Sequence, residues 1–239
     1  MTSSLNDKTV LVVGRGSGIA RGITEAARSA GAHAIVAGLD PESLAEAYED
    51  DPNVRAEHVD LTDDDSIAAL ADRVGAVDHV VSTASARARG KIADLERDAV
   101  RHSFDTKVIG PLMLARAFRD QINEGGSILI FSGGAAFKIE IGTLAVAITN
   151  GAADTLTRSL AVELAPVRVN AISPGVIDTG AWDALGEEAK ARMFAERSER
   201  NPARRIGAAA DVADAAMLAL TNTFMTGVTL QVDGGQRLT

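Results

Sequence analysis

Thr9-Val10-Leu11-Val12-Val13 runs directly into Gly14-Arg15-Gly16-Ser17-Gly18-Ile19-Ala20, an apolar β-branched run followed by three glycines and then a segment of helical period. The run predicts a strand, because such side chains fit a pleated, half-buried surface. Glycines at a strand end predict a tight turn into the N-terminus of a helix, where unpaired backbone N–H groups can cradle a phosphate. A glycine-rich turn with no ligand is the alternative, and the residues of the turn alone leave both open.

The same alternation continues along the chain. Short Val- and Ile-rich runs at 9–13, 34–37, 54–59, 79–82, 127–131, 168–172 and 229–232 predict strands, and helical-period stretches at 20–30, 41–48, 64–74, 99–121, 143–164 and 211–220 separate them. This rhythm predicts an α/β fold: one doubly wound, Rossmann-like domain over 1–239, with a parallel sheet of about seven strands and helices on both faces. Asp40-Pro41-Glu42 is a helix start, with an acceptor at the cap, proline at the first helical position and an acid facing the positive end of the helix. Asp63-Asp64-Asp65 does the same electrostatic work for the third helix. The span 180–202 follows no such rhythm and reads as an inserted flap, whose Trp182, Leu185, Met193 and Phe194 either cover a pocket or pack down on the core.

Composition narrows the function. The chain of 239 residues holds no cysteine, which removes disulfides, thiolate nucleophiles and Cys-type zinc sites. Its net charge of −9 argues against nucleic acid as a partner, since phosphates need clustered cations. The four histidines fall in no metal-ligating pattern, so no metal is expected. No stretch approaches the roughly 20 apolar residues of a membrane span, and the first residues lack a signal peptide's layout, so a cytoplasmic protein without membrane contact is expected.

The dinucleotide fingerprint GxGxxG fails at Ile19, whereas the spacing GxxxGxG fits Gly14 and Gly18, with Ala20 in the last place. An acid near the second strand's end would bind an adenosine ribose, and Asp40 lies 26 residues after Gly14. Asp40 is better explained as the helix cap before Pro41. The strand end itself reads Gly38-Leu39, with no acid to repel a 2′-phosphate, and Arg15 in the turn can attract one. NADP is therefore favoured over NAD.

Together these features resemble the short-chain dehydrogenase/reductase family over essentially the whole chain. The resemblance is carried by His58-Val59-Asp60-Leu61-Thr62-Asp63, by Gly126 to Ser132, and by Leu156 to Leu164 followed by Arg168-Val169-Asn170-Ala171-Ile172-Ser173-Pro174-Gly175. Thr226 to Gly235 is similar to the family's last strand and turn. The resemblance implies a single doubly wound domain holding NAD(P) across the strand ends, a small-molecule substrate and a homo-oligomer, dimer or tetramer. It places cofactor contacts at Gly14, Arg15, Ser17, Gly18, Ile19, Gly38, Leu39, Asp60, Leu61, Ala84, Asn150, Pro174, Gly175, Val176 and Thr179.

The family's chemistry uses a Tyr acid/base, a Lys four residues later and a Ser that orients the substrate oxygen. Counting back from Leu156-Thr157 puts the Tyr and Lys positions at Val146 and Asn150, and the Ser position at Gly133. The helper Asn of the fourth helix falls at Lys107, and the only tyrosine, Tyr48, is expected far from this site. A different acid or a bound water is then required, with Lys107, Ser132, Thr143 and Lys138 as local candidates and Lys107 preferred. A desolvated ammonium has a lowered pKa and can donate a proton or stabilise an oxyanion. Lys107 could instead pair with Asp105. Asn150 could hold the cofactor ribose or be an amide satisfied within its helix, and Ser132 is expected, from strand parity, to point away from the site.

The expected function is an oxidoreductase passing a hydride between a nicotinamide and a small apolar carbonyl, alcohol or activated alkene. A nucleotide-binding sensor without turnover, and a non-redox isomerase, lyase or cyclase, stand as alternatives.

Overall fold

The computed structural model describes residues 4–239. Among the described residues there are nine strands: β1 (Thr9–Val13), β2 (His33–Gly38), β3 (Val54–His58), β4 (Val77–Ser82), β5 (Ile122–Phe131), β6 (Arg168–Pro174), β7 (Ile177–Asp178), β8 (Gly207–Ala208) and β9 (Thr229–Val232). Seven of them form one sheet in the order β3-β2-β1-β4-β5-β6-β9, with every pairing parallel. The short β7 and β8 pair with each other apart from it.

Strand parity builds two cores. Leu11, Val13, Val80, Ile128 and Ile130 face one side, where they meet helices α3 (Asp64–Val74), α5 (Gly110–Phe118) and α6 (Leu144–Glu163). Val10, Val12, Val81, Leu129 and Phe131 face the other side, against α1 (Gly18–Ser29) and α8 (Ala209–Thr221). Successive side chains of a strand point to opposite faces, so strands covered on both sides must be apolar throughout. The remaining helices are α2 (Pro41–Ala47), α4 (Arg97–Phe104) and α7 (Glu187–Arg200).

Chain order reverses between β1 and β4: β2 and β3 lie to one side of β1, and the later strands to the other. Ligands of open parallel sheets bind at the carboxyl edge of such a reversal. Gly14 leaves β1 at this corner, and Thr83 leaves β4 beside it, with its amide and hydroxyl both donating to the Val13 carbonyl at 2.9 and 3.0 Å.

One expectation needs correction. The segment 99–121 is not one α-helix: α4 and α5 are joined by a π-helical turn, Asp105–Ile109, which inserts one extra residue per turn and re-aims the side chains it carries. The flap 180–202, which follows no strand–helix rhythm, has a helix of its own. After a 3₁₀ turn at Asp183–Leu185 it forms α7, whose first turn bears Glu187 and Glu188 and whose last bears Arg197 and Arg200, complementing the helix dipole at both ends. No helix among the described residues is long and apolar enough to cross a membrane.

Candidate active site

The site is a cleft at the carboxyl edge of β4, β5 and β6, and its first wall is backbone. Ser17 caps α1 in an extended conformation, yet its side chain makes no capping bond, and the first turn of α1 carries no acid. The leading N–H groups therefore keep their capacity for an outside acceptor. Gly18 has φ +58°, and a Cβ there would lie 2.9 Å from that of Thr179, so the turn admits glycine alone without strain. At Gly14 a Cβ would fall 2.1 Å from Thr83 Oγ1.

Of the residues placed at the adenosine end, Leu39 stands 69% exposed and Arg15 is also exposed. Asp40 caps α2, its Oδ1 accepting the Ser43 N–H at 3.0 Å, which supports reading it as a cap. Asp60 accepts both the amide and the hydroxyl of Thr62, at 2.8 and 2.7 Å, and these bonds hold its carboxyl below the ordinary range. Ala84 follows β4 at the corner, while Leu61 is buried. Pro174 ends β6, and Pro174, Gly175, Val176 and Thr179 all line the cleft.

The second wall is made of buried polar side chains. Lys107, carried by the π turn, is only 7% exposed and donates from Nζ to the Ser132 carbonyl at 2.9 Å. It does not pair with Asp105. Burial, reinforced by the nearby Arg87 cation and only partly opposed by the Asp154 carboxylate, lowers the Lys107 pKa from 10.5 to about 7. The Ser132 hydroxyl donates to the Asn150 carbonyl at 3.1 Å, so this serine faces α6 and lines the cleft rather than pointing away. Ser132 thereby ties the end of β5 to α6.

Asn150 is 2% exposed, and its Oδ1 has no hydrogen-bond partner. The amide is thus not satisfied within its helix. A buried acceptor without a partner costs about 1–3 kcal/mol, so a ligand donor at this point would be welcomed. A Cβ at Gly133 would lie 2.7 Å from Asn150 Nδ2, so the absence of a side chain at 133 gives this amide its room. Val146 sits one turn earlier on α6 as an apolar part of the same wall.

The remaining lining comes from the flap and the C-terminal turn. Trp182 donates from its indole N–H to the Ile177 carbonyl at 2.9 Å, which fixes its ring over the cleft. Leu185 is half exposed, and Met193 and Phe194 are half-buried on α7, so Trp182 is the member of that quartet that covers the pocket. Arg197 holds Glu140 through both carboxylate oxygens, at 3.0 and 3.2 Å, and so fastens α7 to the loop before α6. Thr143 is closed on the same loop: its hydroxyl donates to the Glu140 carbonyl at 2.6 Å. Lys138 reaches the Gln236 carbonyl at 3.4 Å.

The pieces fit a nicotinamide dinucleotide. The unsatisfied N–H groups of α1 suit its phosphates, and the unpartnered Asn150 Oδ1 suits a ribose hydroxyl. Sequence reasoning missed Arg87 and Arg89, which also line the cleft. The signal was the alternation Ala86-Arg87-Ala88-Arg89, in which Ala88 is buried and both arginines are exposed.

Known proteins agree with this architecture. The sequence model described as enoyl-(acyl carrier protein) reductase matches residues 13–237. L-xylulose reductase of Bos taurus is 30% identical, over 98% of each chain. Among solved structures, a short-chain type dehydrogenase/reductase from Mycobacterium ulcerans has a TM-score of 0.88 at 32% identity, covering 98% of this chain and 91% of that one. A small-chain dehydrogenase in complex with NADPH has a TM-score of 0.85 at 30% identity, covering 98% of this chain and all of the other. With sequence model, relatives and fold in accord, the chain belongs to the short-chain dehydrogenase/reductase family.

Proposed function

We propose that this protein is an NAD(P)-dependent oxidoreductase that reduces a small carbonyl compound, or oxidises the corresponding alcohol, with Lys107 as the proton carrier. When bound, the nicotinamide supplies the hydride for reduction or accepts it in oxidation. The observation that carries the reading is Lys107 itself, a cation buried on the cleft wall with a pKa brought to about 7.

A buried lysine near neutrality exists in both protonation states at working pH, which general acid–base catalysis requires. In reduction, the Lys107 ammonium steadies the negative charge developing on the carbonyl oxygen as the new C–H bond forms, then gives that oxygen one proton and is left as the neutral amine. Oxidation runs the same transfer backwards. The competing local groups are committed elsewhere: the Ser132 hydroxyl to Asn150, the Thr143 hydroxyl to Glu140. The positions where the family resemblance expects Tyr, Lys and Ser hold Val146, Asn150 and Gly133, and none of these three has a proton to give at neutral pH. Asn150 keeps the ribose contact, Val146 and Trp182 exclude water, and the fixed corner positions the reactants, a contribution worth several kcal/mol in its own right.

At the adenosine end, Gly38 and Leu39 present no acid, the Asp40 carboxylate is occupied by its own helix, and exposed Arg15 is available to a 2′-phosphate. NADP is accordingly the favoured form. One observation favours the alternative of a nucleotide sensor: both hydroxyl candidates on the wall, Ser132 and Thr143, are committed to protein carbonyls. Fluorescence titration with NADPH and NADH separates these readings, followed by a search for deuterium transferred from labelled cofactor into product. Binding of NADPH ahead of NADH, with label in product, is expected. Binding without transfer would favour the sensor, and binding of neither would overturn both.

A further inference from the structure

The charge of the cleft is opposite to that of the molecule. Six cationic side chains line it, Arg87, Arg89, Lys107, Lys138, Arg197 and Arg237, against two carboxylates, Glu140 and Asp233, in a chain whose net charge is −9. Both carboxylates are already neutralised, Glu140 by the fork of Arg197 and Asp233 by Arg237 at 2.8 Å. Arg87 and Arg89 have no carboxylate partner among the described residues; desolvation first, and the neighbouring Arg89 cation second, disfavour the charge on Arg87, and desolvation first and Arg87 second do the same to Lys107. Like charges gathered without counter-charge raise the free energy of the empty site and lower that of a complex with an anion.

The two arginines flank buried Ala88 on the segment leaving β4, so both stand at the mouth of the cleft, with Lys107 deeper inside. The phosphates of a dinucleotide have their own donors at the start of α1. We propose that the substrate is a carbonyl compound carrying a carboxylate or phosphate, whose anionic end is held by Arg87 and Arg89 while its carbonyl lies deeper, against Val146 and Lys107. This rests on reading the cleft as the carbonyl site. A guanidinium pair suits either oxyanion, because its planar fork matches both. The anion has a second effect: by compensating Arg87 it relieves the repulsion on Lys107 and favours the protonated form that reduction consumes.

Trp182 is the chain's only tryptophan, so intrinsic fluorescence reports on this cleft without any turnover. The protein saturated with NADP⁺ would be titrated with matched pairs: pyruvate and acetone, 4-oxopentanoate and 2-pentanone, dihydroxyacetone phosphate and dihydroxyacetone. At least one anionic member is expected to bind about tenfold or more tighter than its neutral partner, the contribution of a charge-assisted hydrogen bond. The advantage should shrink as salt is raised. The carboxylate and phosphate pairs tell the two sources apart. In Arg87→Gln/Arg89→Gln the preference should vanish, and in Arg87→Lys/Arg89→Lys it should persist in part, with circular dichroism reporting the fold of each. Equal binding within every pair, or a preference untouched by the glutamine variant, overturns the proposal. So does a glutamine variant that loses NADPH affinity while keeping the preference, since the arginines would then serve the cofactor. Anion preference without any hydride transfer would leave this proposal standing while the oxidoreductase reading falls.

Discussion

The two walls of the cleft are built from different materials. Between β1 and α1 the working groups are backbone N–H groups, and side chains matter mainly by being absent, at Gly14 and Gly18. Between β5 and α6 the working groups are side chains, locked by the bonds from Lys107 to the Ser132 carbonyl and from Ser132 to the Asn150 carbonyl. A backbone wall demands one residue type at a few points and tolerates drift elsewhere. A side-chain wall can exchange its chemistry through a few substitutions while the strand and helix that carry it stay in place.

The sharpest way to break this comparison is Lys107→Met. It should lower kcat by about 10²–10⁴-fold, the usual loss on removing a general acid, while the nucleotide titration stays in place. Single-turnover kinetics beside the fluorescence titration measures both, and retained turnover would remove Lys107 from the mechanism.

A pH profile sharpens the same contrast. With a pKa near 7, Lys107 is protonated below and neutral above that value, so the reduction rate should fall about tenfold per pH unit as pH rises beyond 7. The oxidation rate should rise through the same point. The linkage has a definite sign: between about 7 in the fold and 10.5 in the unfolded chain, the unfolded state binds the extra proton. Stability from this group is thus present at high pH and is lost as pH falls towards 7, a slope that Lys107→Met should flatten in denaturant titrations.

The backbone wall is tested by Gly14→Ala. Its Cβ would be forced to within 2.1 Å of Thr83 Oγ1, so Thr83 must give up its bond to the Val13 carbonyl. Overpacking of this kind costs about 1–3 kcal/mol. The loss should appear in both thermal stability and NADPH affinity. Adding Thr83→Ala should recover part of each, and a double-mutant cycle showing no coupling would place the glycine's role elsewhere.

The sequence made the backbone wall legible and the side-chain wall only partly so. The glycines, the β1 run Thr9–Val13, the helix Asp64–Val74 and the Asp40 cap follow from local rules of propensity and capping, and the structure keeps them. Position 107 is legible as the family's helper-Asn position, but its bond to the Ser132 carbonyl joins residues 25 apart, which no local rule reaches. The outcome for Ser132 followed from the same long-range packing. Helix α7 leaves a signal in its acids at one end and its bases at the other, yet it buries no residue fully, so no hydrophobic period marks it. The alternation Ala86-Arg87-Ala88-Arg89 puts both arginines on one side of the chain, but that this side faces the cleft depends on packing that the alternation does not reach.

The wide turn Asp105–Ile109 places Lys107 by a count of residues rather than by any one residue's chemistry. Removing a single position there would return the segment to ordinary helical spacing and swing the lysine by about 100° around the axis. For this fold, a one-codon insertion or deletion in that turn is therefore a route to a different reactive group at the pocket wall, reached in one evolutionary step.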